Sequence, residues 1–179
     1  MTRGKIRGSR RRKGSMTLLH PGDPFPALSL NLPGGSTFSL PDAMAGHYGV
    51  VLFYRGSWCP YCNAQLSAFQ RSLDSLTALG IQVAALSVDD EATTQDLIGR
   101  HDLRFPVGHS ADADAIAEAT GAFVNPAPRY LQSTGFVLDP AGRVVVSVYS
   151  SGAIGRLVPQ DVLGLVRYLR EHAAAAAGS

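Results

Sequence analysis

The chain has two cysteines, Cys59 and Cys62, three residues apart in Trp58-Cys59-Pro60-Tyr61-Cys62. A helix beginning at this segment places Cys59 in its first turn. There its sulfur faces unpaired backbone N–H groups and the positive end of the helix dipole. Both favour the thiolate, and a Cys-X-X-Cys pair in such a site titrates below the ordinary thiol value. Pro60 suits this place because its missing N–H would have been an orphan in any case. Arg55, four residues upstream, adds a cation near the sulfur. Cys62 lies one turn deeper, shielded, and stays a thiol until needed. The expected chemistry is attack by an exposed Cys59 thiolate, giving a mixed disulfide with a disulfide substrate or a sulfenic acid with a peroxide. Cys62 then displaces the product. Three plainer readings stay open. A zinc pair needs further ligands, and His20, His47, His101, His109 and His172 show no tight ligand spacing. A purely structural disulfide would close a loop too short to remove much entropy. Two silent buried thiols would be small hydrophobes in an unusual place.

The elements around the pair favour the redox reading. Val50-Val51-Leu52-Phe53-Tyr54 is a continuous apolar run of strand length, as expected of a central strand covered on both faces. The stretch after the cysteines is helical, with Leu66, Phe69, Leu73, Leu76 and Leu79 at steps of three and four and Gly80 as its stop. Residues 81–88 read as a second buried strand and residues 91–103 as a helix. Asp89-Asp90-Glu91 suits its positive start better than a metal site. Residues 105–107 form a short strand, residues 112–121 a helix, and residues 122–132 a loop. Residues 135–139 and 143–149 are strands joined by the turn Asp139-Pro140-Ala141-Gly142. A last amphipathic helix starts at Pro159 and presents Val162, Leu165, Val166 and Leu169. Before all of these, Leu28 to Leu40 reads as a hairpin around Pro33-Gly34-Gly35. Alternating βα units ending in an antiparallel pair imply an α/β protein. Its central mixed β-sheet is flanked by helices on both faces, and the hairpin is an N-terminal extension. Ligands in such sheets bind at the carboxyl ends of the strands, where Cys59 and Cys62 follow residue 54.

Composition narrows the class. At 179 residues with 45% apolar side chains, the chain is long enough for one well-buried core. It has no apolar run long enough for a membrane span. The formal charge of +2 hides an asymmetry. Arg3, Lys5, Arg7, Arg10, Arg11, Arg12 and Lys13 crowd into residues 1–15 without an acid, so the remainder is net acidic. Residues 1–15 are expected to be a disordered basic tail, 16–172 one domain, and 173–179 a second disordered tail. Nucleic-acid binding through the basic tail would require steep salt dependence, and no nucleic-acid or membrane partner is expected. The stretch after Arg10-Arg11-Arg12 is broken by proline and aspartate and is no export signal, so a cytoplasmic location is expected, where a cysteine pair fits redox work better than a scaffold.

The segment Phe53-Tyr54-Arg55-Gly56-Ser57-Trp58-Cys59-Pro60-Tyr61-Cys62 resembles the active-site region of the thioredoxin superfamily, with Phe53, Trp58, Cys59, Pro60 and Cys62 matching its reductants. Gly22-Asp23-Pro24-Phe25-Pro26 with the following hairpin is similar to the N-terminal extension of the peroxiredoxin-like branch (alkyl hydroperoxide reductase/thiol-specific antioxidant, or redoxin). Residues 136–143 resemble that branch's late hairpin. The likeness spans about residues 20–172. It implies a thioredoxin-like fold, antioxidant thiol-dependent reduction of hydroperoxides or disulfides, and no bound cofactor or metal. It also implies a thioredoxin-, mycothiol- or glutathione-type electron donor, and it is compatible with a homodimer. The alternatives are a disulfide reductase without significant peroxidase activity and a non-catalytic redox sensor whose Cys59–Cys62 bond alters a docking surface.

The chain departs from the branch in specific places. Typical peroxiredoxins carry a threonine three residues before the first cysteine and a proline seven before it, where this chain has Gly56 and Leu52. Ser57 or Arg55 is the candidate substitute, and Arg129 is the candidate for the remote peroxide-polarising arginine. Phe53 stands where thioredoxins bury a carboxylate, and no proline occupies residues 132–135, where thioredoxins have one beside the cysteines. Substrate contacts are thus expected from Arg55, Ser57, Trp58, Pro60, Tyr61 and Arg129, with Trp58 at the rim and Tyr61 on a docking surface. Tyr130, beside Arg129, reads as a loop anchor.

Overall fold

The computed structural model describes residues 17–177; the basic tail and the last two residues lie outside the described part. The N-terminal extension is the hairpin β1 (Leu28–Asn31) and β2 (Thr37–Leu40), followed by a 3-10 turn at Asp42–Met44. The main sheet comprises β3 (Tyr48–Phe53), β4 (Ile81–Leu86), β5 (Val107–Gly108), β8 (Thr134–Leu138) and β9 (Val144–Tyr149), in the order β5-β4-β3-β8-β9. β3 pairs parallel with β4, and β4 with β5, whereas β8 runs antiparallel to both β3 and β9. The helices are α1 (Pro60–Arg71), α2 (Leu73–Ala78), α3 (Glu91–His101), α4 (Ala113–Thr120) and α5 (Pro159–Ala177). A separate hairpin, β6 (Val124–Pro126) with β7 (Arg129–Leu131), stands outside the main sheet.

The alternation of the central strands builds two cores. Val50, Leu52 and Tyr54 join Val83 and Ala85 beneath Leu66 and Phe69 of α1, Leu97 of α3, and Val162 and Val166 of α5. Val51 and Phe53 face the other way, with Ala84, Leu86 and Phe136, against the N-terminal extension and Ile116 of α4. There Phe136 meets Phe25 and Phe53 edge-on, at centroid separations of 5.1 and 5.5 Å. Truncating such a buried ring to alanine costs about 3–5 kcal/mol. Both sheet faces are thus filled, which leaves the strand ends for chemistry.

Several elements differ from the sequence expectation. The long helix breaks at Ser72 into α1 and α2, and this residue takes non-helical backbone angles between them. The loop expected at residues 122–132 contains the β6–β7 hairpin; Pro126 and Pro128 mask the strand pattern because proline cannot donate to a ladder. The strand expected at residues 105–107 shortens to Val107–Gly108. Helix α5 continues through Ala177 rather than stopping before the polyalanine run, consistent with alanine's helix propensity. Among the described residues, no helix is long and apolar enough to cross a membrane.

Candidate active site

Strand β3 ends at Phe53, and the turn through Arg55, Gly56, Ser57 and Trp58 leads directly into α1. Cys59 is the N-cap of that helix rather than a first-turn residue, and Pro60 occupies its start. The Cys59 sulfur accepts the backbone N–H of Cys62 at 3.4 Å, so it does the work that a cap serine usually does. The turn is held from both sides. The Ser57 N–H donates to the Asp89 carboxylate at 2.7 Å, and the Asn63 side-chain amide donates to the Ser57 carbonyl at 3.0 Å. Gly56 is required here: a Cβ at this position would sit 2.3 Å from Nε1 of Trp58, which folds back over it.

Two arginines reach the sulfurs. Nη1 of Arg55 lies 3.8 Å from Cys59 Sγ. Nη2 of Arg156 lies 3.2 Å from Cys62 Sγ and 3.7 Å from Cys59 Sγ. Arg156 comes from the connection between β9 and α5. Gln65 Oε1 accepts from its Nη1 at 2.9 Å and the Ala153 carbonyl from its Nε at 2.8 Å. Gln65 itself donates to the Leu157 carbonyl at 3.0 Å. Leu157 packs on β8 at Gly135, where a Cβ would come within 2.7 Å of its side chain. A glycine in β8 therefore lets this connection approach closely enough for Arg156 to touch the pair.

Both cysteines are free thiols with 0% exposure. The expectation that the Cys59 sulfur would be open to solvent is corrected: the two guanidinium groups lie against it. This cover is cationic as well as apolar, so burial does not silence the sulfur. Burial alone would raise the Cys59 pKa. The thiol hydrogen bond from Cys62, the Cys62 N–H, Arg156 and Arg55 outweigh it and bring the pKa below the ordinary thiol value. Cys62 moves the other way, raised first by burial and then by its bond to Cys59, against the opposing effects of Arg156 and the Arg55 N–H. That N–H donates to Cys62 Sγ at 3.3 Å. The pair thus has one sulfur poised to be an anion and one kept protonated. Tyr54, fully buried in the same core, is also kept neutral: burial, the largest cause, pushes its phenol up to about 12. It is no base for the Cys62 proton near neutrality.

The expected contact residues fall into two groups. Arg55, Trp58, Pro60 and Tyr61 surround the pair. Trp58 is 55% exposed and meets the Tyr130 ring edge-on at 5.1 Å. Tyr61 is 54% exposed and borders an apolar groove with Ala64, Leu157, Val158 and Pro159, whose lining also includes Arg156. Ser57 contributes backbone groups that hold the turn. Arg129 is not brought to the sulfurs: its exposed guanidinium pairs with Asp114 of α4. The remote cation is instead Arg156, which sequence reasoning missed. Its signal was weak, a lone arginine in Ser151-Gly152-Ala153-Ile154-Gly155-Arg156 with no motif around it. Within the acidic cluster, Asp90 caps α3 by accepting the Thr93 N–H, while Asp89 reaches across to the cysteine turn. Among the described residues, no three His, Cys, Asp or Glu side chains cluster as metal ligands. A separate cavity between β1 and α4 has no cysteine in its lining.

A strand-to-helix turn carrying an N-cap cysteine and a partner one turn on, at the carboxyl edge of a mixed sheet, defines a thioredoxin-fold dithiol protein. Comparison with known proteins gives the family. The AhpC/TSA family model matches residues 21–147. A putative peroxiredoxin of Mycobacterium tuberculosis is 32% identical over 150 residues, covering 79% of this chain and 92% of the relative. A peroxiredoxin of Methanothermobacter thermautotrophicus is 26% identical over 157 residues, covering 83% and 72%. Among solved structures, Mycobacterium tuberculosis AhpC superposes with a TM-score of 0.71 at 22% identity, over 86% of this chain and 94% of that one. The chain belongs to the AhpC/TSA family and is a thiol-dependent peroxidase/oxidoreductase of the peroxiredoxin kind.

Proposed function

We propose that Cys59 is the nucleophile and Cys62 the resolving thiol of a hydroperoxide reductase. The Cys59 thiolate attacks one peroxide oxygen, the O–O bond breaks, and the departing alkoxide or hydroxide takes a proton to leave as alcohol or water. Cys59 becomes a sulfenic acid. The Cys62 sulfur then bonds to Cys59, and the sulfenic oxygen leaves as water with the Cys62 proton. One dithiol, or two monothiols acting in turn through a mixed disulfide, returns the disulfide to two thiols, the donor sulfurs becoming a disulfide in exchange. The donor in this reading is a thioredoxin-type protein or a low-molecular-weight thiol, with no bound cofactor, in the cytoplasm. One observation carries the assignment: two guanidinium groups, from Arg55 and Arg156, both contact the Cys59 sulfur, whereas only Arg156 also reaches Cys62. The test is stopped-flow peroxide reduction. Cys59→Ser abolishes turnover, and Cys62→Ser permits one reaction that stops at a trappable sulfenic acid. Full turnover by Cys59→Ser would overturn the assignment.

A second reading has support in Leu52 and Gly56, which stand where the family carries proline and threonine. Without that threonine hydroxyl, the site has less to hold a small peroxide. Disulfide exchange through the same Cys59 is then the faster reaction. Insulin reduction that outpaces hydrogen peroxide reduction favours this reading.

A further inference from the structure

Arg55 is a long side chain with much rotamer entropy to lose, so a fixed position against a sulfur needs a restraint. A carboxylate would supply one but would also neutralise the charge. Among the described residues, Arg55 has no carboxylate partner. Its Nη2 donates to the Tyr130 hydroxyl at 3.0 Å, and its guanidinium carbon lies 5.0 Å from the Trp58 ring centroid and 5.3 Å from that of Tyr130. Its Nε is buried without a hydrogen-bond partner, which leaves Tyr130 as its oxygen acceptor. Tyr130 is only 9% exposed and is carried by β7, in the hairpin outside the main sheet.

We propose that Tyr130 is a positioning residue that fixes Arg55 against the Cys59 sulfur while leaving the guanidinium charge uncancelled. A neutral phenol is suited to this because it accepts the N–H, its ring face attracts the cation, and the full positive charge remains for the thiolate. The groups facing Cys59 are Arg55, Arg156 and the Cys62 thiol. Those facing Arg55 are Tyr130, Trp58 and Cys59. The inference rests on Cys59 being the reacting sulfur, as proposed above.

The experiment follows iodoacetamide alkylation of Cys59 against pH, located by mass spectrometry, in the full chain. Tyr130→Phe keeps the ring and its volume and removes only the acceptor. Its alkylation profile moves to higher pH and its rate below neutrality falls roughly three- to tenfold, less than the full worth of a charged hydrogen bond because the guanidinium itself remains beside the sulfur. Its limiting rate at high pH is not lowered, which a merely structural defect would not produce. Arg55→Met gives a fall of at least the same size, and Tyr130→Phe added to it changes nothing more. A Tyr130→Phe profile superimposed on the parent, or an equal effect with and without Arg55, overturns the proposal. Failure of the functional reading shows separately, as an unmodified Cys59 in the parent chain or as turnover by Cys59→Ser.

Discussion

The two arginines at the cysteine pair are held in opposite ways, and the contrast divides their work. Arg55 belongs to the cysteine turn itself, its guanidinium lies over the Trp58 and Tyr130 rings, and of the two sulfurs that guanidinium contacts only Cys59. Arg156 arrives from the far end of the chain, is tied by hydrogen bonds to Gln65 and the Ala153 carbonyl, and contacts both sulfurs. A cation on Cys59 alone favours the attacking thiolate. A cation shared by the two also stabilises negative charge as it passes from one sulfur to the other during resolution and reduction. Arg156 is accordingly the more damaging loss. Arg156→Met lowers peroxide turnover roughly 10- to 100-fold, since hydrogen bonds to charged groups are worth about 1.5–3 kcal/mol. Arg129→Gln, which breaks only an exposed pair with Asp114, leaves turnover at the parent rate. Steady-state assays of Arg156→Met and Arg55→Met side by side check the contrast, with Arg129→Gln as the control. Equal losses would break it.

The difference also explains what could be read from the residues in order. The β3–α1 turn is local: strand, Gly56, Trp58, Pro60 and a three-residue cysteine spacing are contiguous, so its place at the sheet edge and the Arg55 contact were legible. Arg156 depends on Leu157 nesting at Gly135 and on Gln65 reaching across from α1, contacts made between elements far apart in sequence. No periodicity encodes them. The β6–β7 hairpin was hidden for another reason, because its prolines read as loop, and with it went the bond from Arg55 to Tyr130. The burial of Cys59 follows from the same long-range arrivals. A residue at a helix start looks exposed until the side chains that cover it are placed.

The approach of the β9–α5 connection to β8 gives a second way to sharpen the comparison. Gly135→Ala places a methyl group within 2.7 Å of Leu157, so the Leu157 side chain must shift from its seat on β8. Overpacking of this kind costs about 1–3 kcal/mol, read as a lower urea midpoint. Displacing Leu157 also draws Arg156 from the sulfurs while leaving Arg55 where it is. Cys59 alkylation then slows less than peroxide turnover does, because Arg55 still favours the thiolate that alkylation needs, whereas turnover also needs the cation shared with Cys62. If both fall by the same factor, the division of labour between the arginines is wrong.

The smallest expected effect is on stability against pH, and it separates the two sulfurs. The Cys59 pKa is lowered in the folded protein, so the fold holds its thiolate more tightly than the unfolded chain does. Its stabilising contribution is complete above the unfolded thiol value and is lost as pH falls through the folded one. The Cys62 pKa is raised, so its contribution is complete below the unfolded thiol value and is lost as pH rises through its own. With both present, the thiol contribution to the stability of the reduced protein climbs towards the ordinary thiol value and declines beyond it. Urea midpoints measured under reducing conditions show this as a rising and a falling limb. Cys59→Ser flattens the rising limb and Cys62→Ser the falling one, because each removes the group whose proton binding differs between the folded and unfolded chains. Arg156→Met weakens the rising limb, since that cation helps hold the Cys59 thiolate. Its effect on the falling limb is opposite in sign: without the cation, Cys62 holds its proton to still higher pH, so the decline starts at the same unfolded thiol value but runs further and deeper.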